Sequence, residues 1–546
     1  MPNFLDFFEK NKISPRSQQC EVLSKLESNW DRYDNFVISA PTGVGKSFIA
    51  LAIAMGTTNS FLLTGTKSLQ SQYIETSDQL YNIKGRANYP CGLNRTVRAD
   101  MGPCSIMPQI KRKCYGNGSC IYHNAKLGAK KAKTMLTNYA YFLTALNSGS
   151  FGEPYECKRA VVLCDEAHDL EKCLINFAEC VISPSDINKK FHIQDPAWKF
   201  GNSEKKNLEI LFDIKAEIGK EMNKCTSQID LIYAKYGITS EDTSGMFKMN
   251  GADTDKIAKL GLKLAQLDRT IKPIDIYEAN QSFRWIIDAN TDDNTLKISP
   301  ISASGIFSEY MQHFGGKFVF MSATIGDPNV FCRELGLDPE RTAFIRTGTD
   351  FPAENAPIVF CPVGKMNYKD LPATMPKIVA GVIEILKGHA EDKGIIHTGN
   401  YKISQAIIDG LPRELKSRLI HRDMKYGQKI SNEDLVRMHT HDKGPTVLIS
   451  PSLGTGTSLD DDLSRFQIIV KLPFPSLLDA RVKIKADEDP DWYLDTMWRE
   501  VQQSSGRSIR SMEDHAVTYV LDSSTDWFFK KAEKVLPPHF KERWHW

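Results

Sequence analysis

The sequence predicts an α/β protein with two parallel-sheet domains, the first interrupted by a cysteine-rich insertion and then by a helical one. Three observations predict this. Short apolar runs alternate with helix-period segments near both ends of the chain, as in a parallel sheet whose strands are joined by crossover helices. Between Leu170 and Tyr310 the alternation gives way to long apolar stripes at three-and-four spacing, the signature of extended amphipathic helices. Four cysteines, Cys91, Cys104, Cys114 and Cys120, crowd into about thirty residues ahead of that stretch.

The first set of strands is read at Phe36-Val37-Ile38-Ser39, Phe61-Leu62-Leu63-Thr64, Val161-Val162-Leu163-Cys164 and Phe318-Val319-Phe320-Met321. The second is Ile358-Val359-Phe360, Gly394-Ile395-Ile396-His397, Val447-Leu448-Ile449-Ser450, Gln467-Ile468-Ile469-Val470 and Val517-Thr518-Tyr519-Val520. A stretch rich in Gly, Pro and acidic residues, Gly348 to Pro357, divides the two domains. Within the interruption, Leu211, Ile214, Ile218, Cys225, Ile229 and Ile232 form one helical stripe, and Ile257, Leu260, Leu264, Leu267 and Ile271 another. The polar segment Gly237 to Asp253 between them predicts an antiparallel helical hairpin. Ser282 to Ile287 and Thr295 to Ile298 flank Asp292-Asp293-Asn294, which predicts a β-hairpin leading back into the first domain.

At 546 residues the chain is long enough for roughly three or four domains or subdomains. No apolar run reaches the roughly 18 residues of a membrane span, and Met1 to Asp6 lacks a basic-then-apolar leader pattern. The expectation is a cytoplasmic protein with no membrane partner. In such a chain, clustered cysteines point to metal ligation before disulfides. The formal net charge is only +2, but from Lys84 to Lys133 eleven Lys or Arg face one acid, Asp100. A basic stretch of this kind is either a solvated loop or a surface that neutralises phosphates, and the second is the expectation here.

The nucleotide-binding signature is Ala40-Pro41-Thr42-Gly43-Val44-Gly45-Lys46-Ser47, which follows a strand and opens a helical run. Its glycines let backbone N–H groups close around phosphate oxygens, and the helix N-terminus adds a favourable field. Lys46 is expected on the β- and γ-phosphates and Ser47 on Mg²⁺; Pro41, Thr42, Gly43, Val44 and Gly45 form the cradle. Asp165-Glu166-Ala167-His168 follows the apolar run ending at Cys164. Asp165 is expected to hold Mg²⁺ and Glu166 to orient and deprotonate the attacking water. Near the C-terminus, Gln503-Ser504-Ser505-Gly506-Arg507-Ser508-Ile509-Arg510 places two arginines on one helix face. Arginine presents a rigid, permanently charged fork to a γ-phosphate, and such fingers contribute roughly 10³–10⁵ in rate.

With these motifs in place the chain resembles the superfamily 2 helicases of the XPD/DinG type along nearly its whole length. The resemblance implies two RecA-like motor domains, with ATP in the cleft between them and an Arch-like helical insertion. Residues 1–88, 135–171 and 310–350 would form the first motor domain. Residues 89–134 would be the cluster insertion, 172–309 the Arch-like insertion and 351–546 the second motor domain. Arg16-Ser17-Gln18-Gln19 resembles the adenine-recognising segment, with Gln19 as reader. Thr66 to Gln72 resembles a strand-contacting motif, and Lys84 to Cys91 the entry to the cluster domain, with Arg86 facing nucleic acid. Thr137-Asn138-Tyr139 precedes the second part of the first motor domain, and Ser322-Ala323-Thr324 resembles the segment coupling hydrolysis to nucleic acid. Lys471 to Pro475 and Gln503 to Arg510 complete the second domain. Motif V departs from the usual Glu-Gly-x-Asp-Leu: Thr455-Gly456-Thr457-Ser458-Leu459 keeps Gly456 for the nucleotide but replaces both acids with hydroxyls.

Four thiolates in this span suit either a zinc site or an iron–sulfur cluster. The uneven spacing, without a Cys-x-x-Cys pair, weakens a zinc-ribbon reading; His123 is read as a surface or DNA-facing residue, with a spare zinc ligand as the alternative. The resemblance implies a [4Fe–4S] cluster. It also implies an ATP- and Mg²⁺-dependent DNA helicase moving 5′-to-3′ on single-stranded DNA, a monomer acting on forked or partly duplex DNA. Tyr89, Tyr122 and Tyr139 are candidates for stacking on bases, a contact worth roughly 1–3 kcal/mol. The alternatives are an RNA-directed Asp-Glu-Ala-His remodeller and a DNA-binding clamp with weak ATPase. An added nuclease is not expected, because about forty residues before the phosphate loop are too few for one.

Overall fold

The structure is a computed structural model. It describes every residue except 1, 93–94, 103, 105–113, 117, 150, 153, 240–247, 349–351, 368, 424–429, 452–458, 460, 507, 509–513, 534–535 and 546.

Two seven-stranded parallel sheets form two RecA-like lobes. Lobe 1 begins with β1 (Asn35–Ser39), β2 (Ser60–Thr64), β3 (Tyr81–Asn82), β4 (Thr134–Asn138) and β5 (Arg159–Asp165). After the helical insertion it is completed by β9 (Gly315–Ser322) and β10 (Thr342–Arg346). The strand order is β10-β1-β9-β5-β2-β4-β3. Nearly continuous apolar strands such as Phe36 to Ile38 are expected where both faces are covered. One face packs on α1 (Ser17–Asn29), α2 (Lys46–Gly56) and Tyr73 of α3 (Lys67–Thr76). The other takes Ala129 of α4 (Ile121–Lys131), the apolar stripe of α5 (Tyr139–Asn147), and Leu170, Leu174 and Ala178 of α6 (Leu170–Ala178).

The helical insertion has a core of its own. It contains α7 (Glu204–Lys235) and α8 (Gly251–Ala279). It also contains an antiparallel sheet of β6 (Cys180–Ile182), β7 (Trp285–Asn290) and β8 (Thr295–Pro300), in the order β6-β8-β7. Leu211, Ile214 and Ile218 of α7 meet Leu267 and Ile274 of α8 over Leu296 and Ile298 of β8. The apolar spacing of the two stripes thus becomes the contact between two long helices. Residues 240–247 of the connecting segment lie outside the described residues. The self-contained core runs from about Cys180 to Ile298, while α6 and residues Ile306 and Phe307 pack into lobe 1.

Lobe 2 contains β11 (Ile358–Gly364), β12 (Gly394–His397), β13 (Leu419–Ile420), β14 (Val447–Ser450), β15 (Phe466–Ile469), β16 (Val517–Asp522) and β17 (Trp544–His545). Their order is β13-β14-β12-β15-β16-β11-β17. Three further helices meet at the seam between lobes: α9 (Pro328–Leu335) from lobe 1, and α10 (Ala480–Glu488) and α11 (Pro490–Ser505) from lobe 2. Among the described residues no helix is long and apolar enough to cross a membrane.

Candidate nucleotide site and nucleic-acid interface

The strand order brings the carboxyl ends of β1, β9 and β5 side by side. Ser39 pairs with Ser322, and Met321 with Asp165. Ligands in open parallel sheets bind at this end. Beyond Ser39 the chain enters the phosphate loop, where Gly43 (φ 85°) and Gly45 (φ 84°) adopt the left-handed conformation that glycine alone takes without cost. A Cβ on Gly45 would stand 2.4 Å from Gln19 Nε2. The loop ends where α2 begins at Lys46. Pro41 is half-buried, Thr42 is exposed at the tip, and Val44 is buried.

Lys46 Nζ lies 3.4 Å from Ala40 O, inside the curve of the loop. The expected Mg²⁺ ligands converge on one hydroxyl: Tyr73 donates to Asp165 Oδ2 at 2.8 Å and also bonds Ser47. Tyr73 is 1 % exposed, and sequence reasoning missed it. Its signal was an aromatic at a core position of the helix carrying the strand-contacting motif. Burial pushes the Asp165 carboxyl up to about 6, Glu166 adds to this, and Lys46 and the Tyr73 hydrogen bond pull it back. Glu166 has φ 52°, a left-handed conformation costly for a residue with a Cβ.

From Glu166 a polar chain crosses the seam. Its Oε2 is 3.3 Å from His168 Nδ1, which lies 2.7 Å from Ser322 Oγ. Gln503 of lobe 2 reaches over so that its Nε2 is 2.5 Å from His168 Nε2 and 3.2 Å from Thr324 Oγ1. Gln502 donates to Ala323 O at 3.3 Å, and Arg499 to His168 O at 3.3 Å. Three motifs far apart in sequence therefore share one contact. Gly456, Arg507 and Arg510, with Thr455 and Ser458 of the departing motif, lie outside the described residues.

Gln19 is bonded to the phosphate loop itself. Its Nε2 donates to Val44 O (3.0 Å) and Gly45 O (3.3 Å), and its Oε1 accepts from Arg16 N (2.9 Å). At 3 % exposure both ends of the amide are used on backbone, so it braces the phosphate loop. The Arg16 guanidinium lies on Gly43 O from the other side.

The nucleic-acid candidates divide. Gln72 is exposed. Thr66 caps α3 by accepting from Leu69 N (3.3 Å), and Asn138 caps α5 by accepting from Tyr141 N (2.9 Å). Tyr122 is partly buried, with its hydroxyl 2.9 Å from that of Tyr141 and its ring 5.5 Å from Tyr89. Tyr139 is corrected: it is 1 % exposed and donates to Asp165 O at 2.8 Å, so it supports the strand carrying the acid and offers no ring face to a base. Arg86 donates to Cys104 Sγ at 2.8 Å and so faces the cysteine pocket.

Cys91, Cys104, Cys114 and Cys120 are all buried and none is in a disulfide. They sit close enough to act on one another. Burial pushes the Cys114 thiol up to about 11, and Cys104, Cys120 and Cys91 each add to that shift. Among the described residues no group of three or more His, Cys, Asp or Glu is drawn into a metal-binding arrangement. The donor set nonetheless fits one: four mutually unfavourable thiols share a pocket, Arg86 supplies one positive charge, and a Cβ on Gly102 would meet Cys91 Sγ at 2.8 Å. Cys120 also caps α4, accepting from His123 N at 3.4 Å.

A second seam feature was not read from sequence. Glu171 of α6 accepts from Arg481 (3.0 Å) and from Trp492 Nε1 (3.1 Å), both of lobe 2. Lys485 pairs with Glu334 of α9, and Asp495 accepts from Asp327 N at 2.6 Å. Burial pushes the Glu171 carboxyl up, but Arg499, Arg481 and Lys485 together outweigh it and hold it below its ordinary value. The available signal was the four-residue spacing of Arg481 with Lys485 and of Asp495 with Arg499, which puts each pair on one helix face.

Comparisons agree with this geometry. Residues 383–543 match the Helicase C-terminal domain family, and residues 12–194 match the family described as Type III restriction enzyme, res subunit. ATP-dependent DNA helicase YoaA of Haemophilus influenzae is 22 % identical, over 93 % of this chain and 91 % of that protein. The Escherichia coli protein of the same name is 20 % identical, over 94 % and 92 %. Among solved structures, one described as XPD_Helicase aligns with a TM-score of 0.62 at 15 % identity, covering 95 % of this chain and 98 % of its own. Xpd4 of S. tokodaii aligns with a TM-score of 0.55 at 13 % identity, covering 97 % and 100 %.

Proposed function

We infer that the chain is an XPD/DinG-type superfamily 2 helicase, an ATP-dependent DNA helicase that couples ATP hydrolysis between its two RecA-like lobes to strand separation. The observation that carries this reading is the contact of Gln503 with His168 and Thr324. It links the acid-bearing strand end, the coupling segment and the second lobe in one polar chain, so a change at the γ-phosphate alters how the lobes meet.

In this reading the glycine loop binds the phosphates with its backbone, and Lys46 neutralises the β- and γ-oxygens. Ser47 and Asp165, aligned by Tyr73, hold Mg²⁺. Glu166 orients the attacking water and accepts its proton, and His168, in contact with both Glu166 and Gln503, shifts its hydrogen bond to lobe 2 in response. Arg507 and Arg510 act as the fingers of lobe 2. Movement is 5′-to-3′ on single-stranded DNA, with forked or partly duplex DNA as substrate for a monomer in the cytoplasm. Cys91, Cys104, Cys114 and Cys120 hold a [4Fe–4S] cluster, which supplies a rigid cross-link to a loop with little core of its own. That insertion stands where the duplex parts. Stacking costs about 1.4 kcal/mol per base-pair step, within reach of an ATP motor.

Stimulation of ATPase by single-stranded DNA and by RNA, measured side by side, tests the substrate. DNA is expected to stimulate more strongly, and stronger stimulation by RNA overturns the reading. Lys46→Ala is expected to keep DNA binding and lose hydrolysis and unwinding; full unwinding by that variant would mean a passive binder. Duplexes with a 5′ or a 3′ tail test the direction. Broad visible absorbance with about four irons per chain supports the cluster, whereas a colourless protein with one zinc replaces it with a zinc site.

A further inference from the structure

At the far end of lobe 1 from the phosphate loop, a cleft of about 390 Å³ opens beside the amino ends of β2, β4 and β5. Its lining includes Lys130, Lys131, Lys133, Lys158 and Arg159, against one carboxylate, Glu156. Lys130 and Lys131 close the last turn of α4, where cations ordinarily complement the helix dipole. That account does not extend to Lys133, Lys158 and Arg159, which come from the approaches to two strands.

Arg159 shows that the cleft is built. It is 6 % exposed. Its guanidinium donates to Ala132 O (2.7 Å), Lys133 O (2.8 Å), Ala129 O (2.9 Å) and Ser60 O (3.1 Å). Its other face lies 4.9 Å from the centre of the Phe61 ring. Among the described residues its hydrogen-bond partners are all backbone carbonyls, so no carboxylate neutralises it there. It fixes the turn that carries Lys130, Lys131 and Lys133. Lys133 in turn donates to Met55 O at 2.6 Å. Lys130 lies 3.5 Å from Glu156, and both of these side chains are exposed. Lys131 and Lys158 stand exposed at the rim.

The cleft is continuous with the cysteine insertion. Helix α4 starts beside Cys120 and ends at Lys131. Lys126 lies one turn before Lys130, with its Nζ 5.3 Å from the centre of the Phe151 ring. From Lys126 to Lys131 the helix rises about 7.5 Å, over which one strand of a duplex presents about two phosphates at 3.4 Å each.

We propose that this cleft is a second DNA-binding site that grips the phosphate backbone of the duplex arm beside the cysteine insertion, using Lys126, Lys130, Lys131, Lys133 and Lys158. The proposal rests on the helicase reading and adds a subsite to it. The duplex is held behind the point of separation, which keeps the unopened DNA aligned while the lobes draw in one strand.

The test is the salt dependence of DNA binding by the full chain. Wild type and the Lys131→Gln/Lys158→Gln double variant are titrated with a fluorescent fork carrying a 20-base-pair arm, and with the single strand alone. Each lost phosphate contact lowers the log–log salt slope by about 0.9. The variant's slope on the fork is expected to fall by about 1.8, so that between 50 and 200 mM salt it loses about 12-fold less affinity than wild type does. Its slope on the single strand and its Tm are expected to be unchanged. An unchanged slope on the fork overturns the proposal, and so does an equal fall on the single strand, which would mean a strand track instead of a duplex grip. The Lys131→Glu/Lys158→Glu variant gives a second reading, expected to weaken the fork more than the single strand. If wild type binds no DNA, the helicase reading falls and this subsite with it; a single strand bound normally while the fork slope stays fixed removes the subsite alone.

Discussion

Replacing Asp495 with Asn tests the electrostatics of the lobe seam. Asp495 is 2 % exposed on α11 of lobe 2 and faces the Gly326–Asp327 turn of lobe 1. The contact is close: Gly326 has φ 76°, and a Cβ there would fall 2.1 Å from Asp495 Oδ1. The Asp327 N–H donates to Oδ1 at 2.6 Å, and Arg499 Nε stands 3.1 Å from Oδ2. That Nε has no partner by hydrogen-bond direction, so this is an ion pair by distance only. Burial raises the carboxyl from 3.8 to about 6 despite Arg499. One pKa unit corresponds to about 1.4 kcal/mol, so the rise from 3.8 to about 6 corresponds to roughly 3 kcal/mol.

The sign follows from proton linkage. A carboxyl that binds its proton more tightly in the folded state stabilises the fold fully below pH 3.8 and loses that stabilisation as pH rises towards 6. Asparagine keeps the acceptor for Asp327 N–H and does not titrate. The stability of Asp495→Asn minus that of wild type should climb by about 1.4 kcal/mol per pH unit across this window and level off about 3 kcal/mol higher. Urea unfolding of both proteins at half-unit pH steps, with the midpoint difference multiplied by the common slope, gives the curve. A difference that stays flat from pH 4 to 7 would refute the reasoning, because it would mean that Asp495 is ionised and paired throughout.

Three further substitutions probe the site. Gly45→Ala combines left-handed backbone, costing roughly 1–2 kcal/mol, with displacement of Gln19; a lower Tm and at least a tenfold loss in ATP affinity by calorimetry are expected. Tyr73→Phe removes the hydroxyl between Ser47 and Asp165; ATPase assays should show a raised Mg²⁺ requirement with DNA affinity unchanged. Glu171→Ala leaves Arg481 and Arg499 without their shared carboxylate; breaking a buried pair in this way costs about 3–5 kcal/mol, which should appear in unfolding curves as a lobe-coupled loss, with Glu171→Gln intermediate.

The strands that the sequence announced were those whose apolar runs are unbroken, such as Phe61-Leu62-Leu63 and Ile395-Ile396. The strands it hid have other causes. β3, β13 and β17 are two residues long. β4 buries Thr134 and Thr137, whose hydroxyls are satisfied by Ser60 and Ile83 O and so need no apolar side chain. β10, at the sheet edge, leaves Phe344 exposed. Within the site, the groups from Gly43 to Ser47 and at Asp165 and Glu166 could be read from residue type and spacing because their backbone context is local. Type and spacing misjudged Tyr139 and did not foresee that Gln19 bonds the phosphate loop, because which way a polar tip points depends on neighbours more than 20 residues away in the chain.

The seam joins two kinds of contact, and Arg499 belongs to both. On one side it donates to His168 O, in the polar chain that ends on Glu166; on the other it lies 3.6 Å from Glu171 and 3.1 Å from Asp495. Buried charges are tolerated only while paired. Parting the lobes at α11 therefore strips Glu171 and Glu334 of their cations unless water enters at once. A seam of this kind favours a few discrete arrangements over continuous sliding. A disturbance at His168 that shifts Arg499 by even part of a hydrogen-bond length must be absorbed by a carboxylate in the buried network. In the helicase reading this gives a physical route from Glu166 and His168 to the docking of the lobes, and beyond His168 it runs through Arg499, Glu171 and Asp495, which the recognised motifs do not contain.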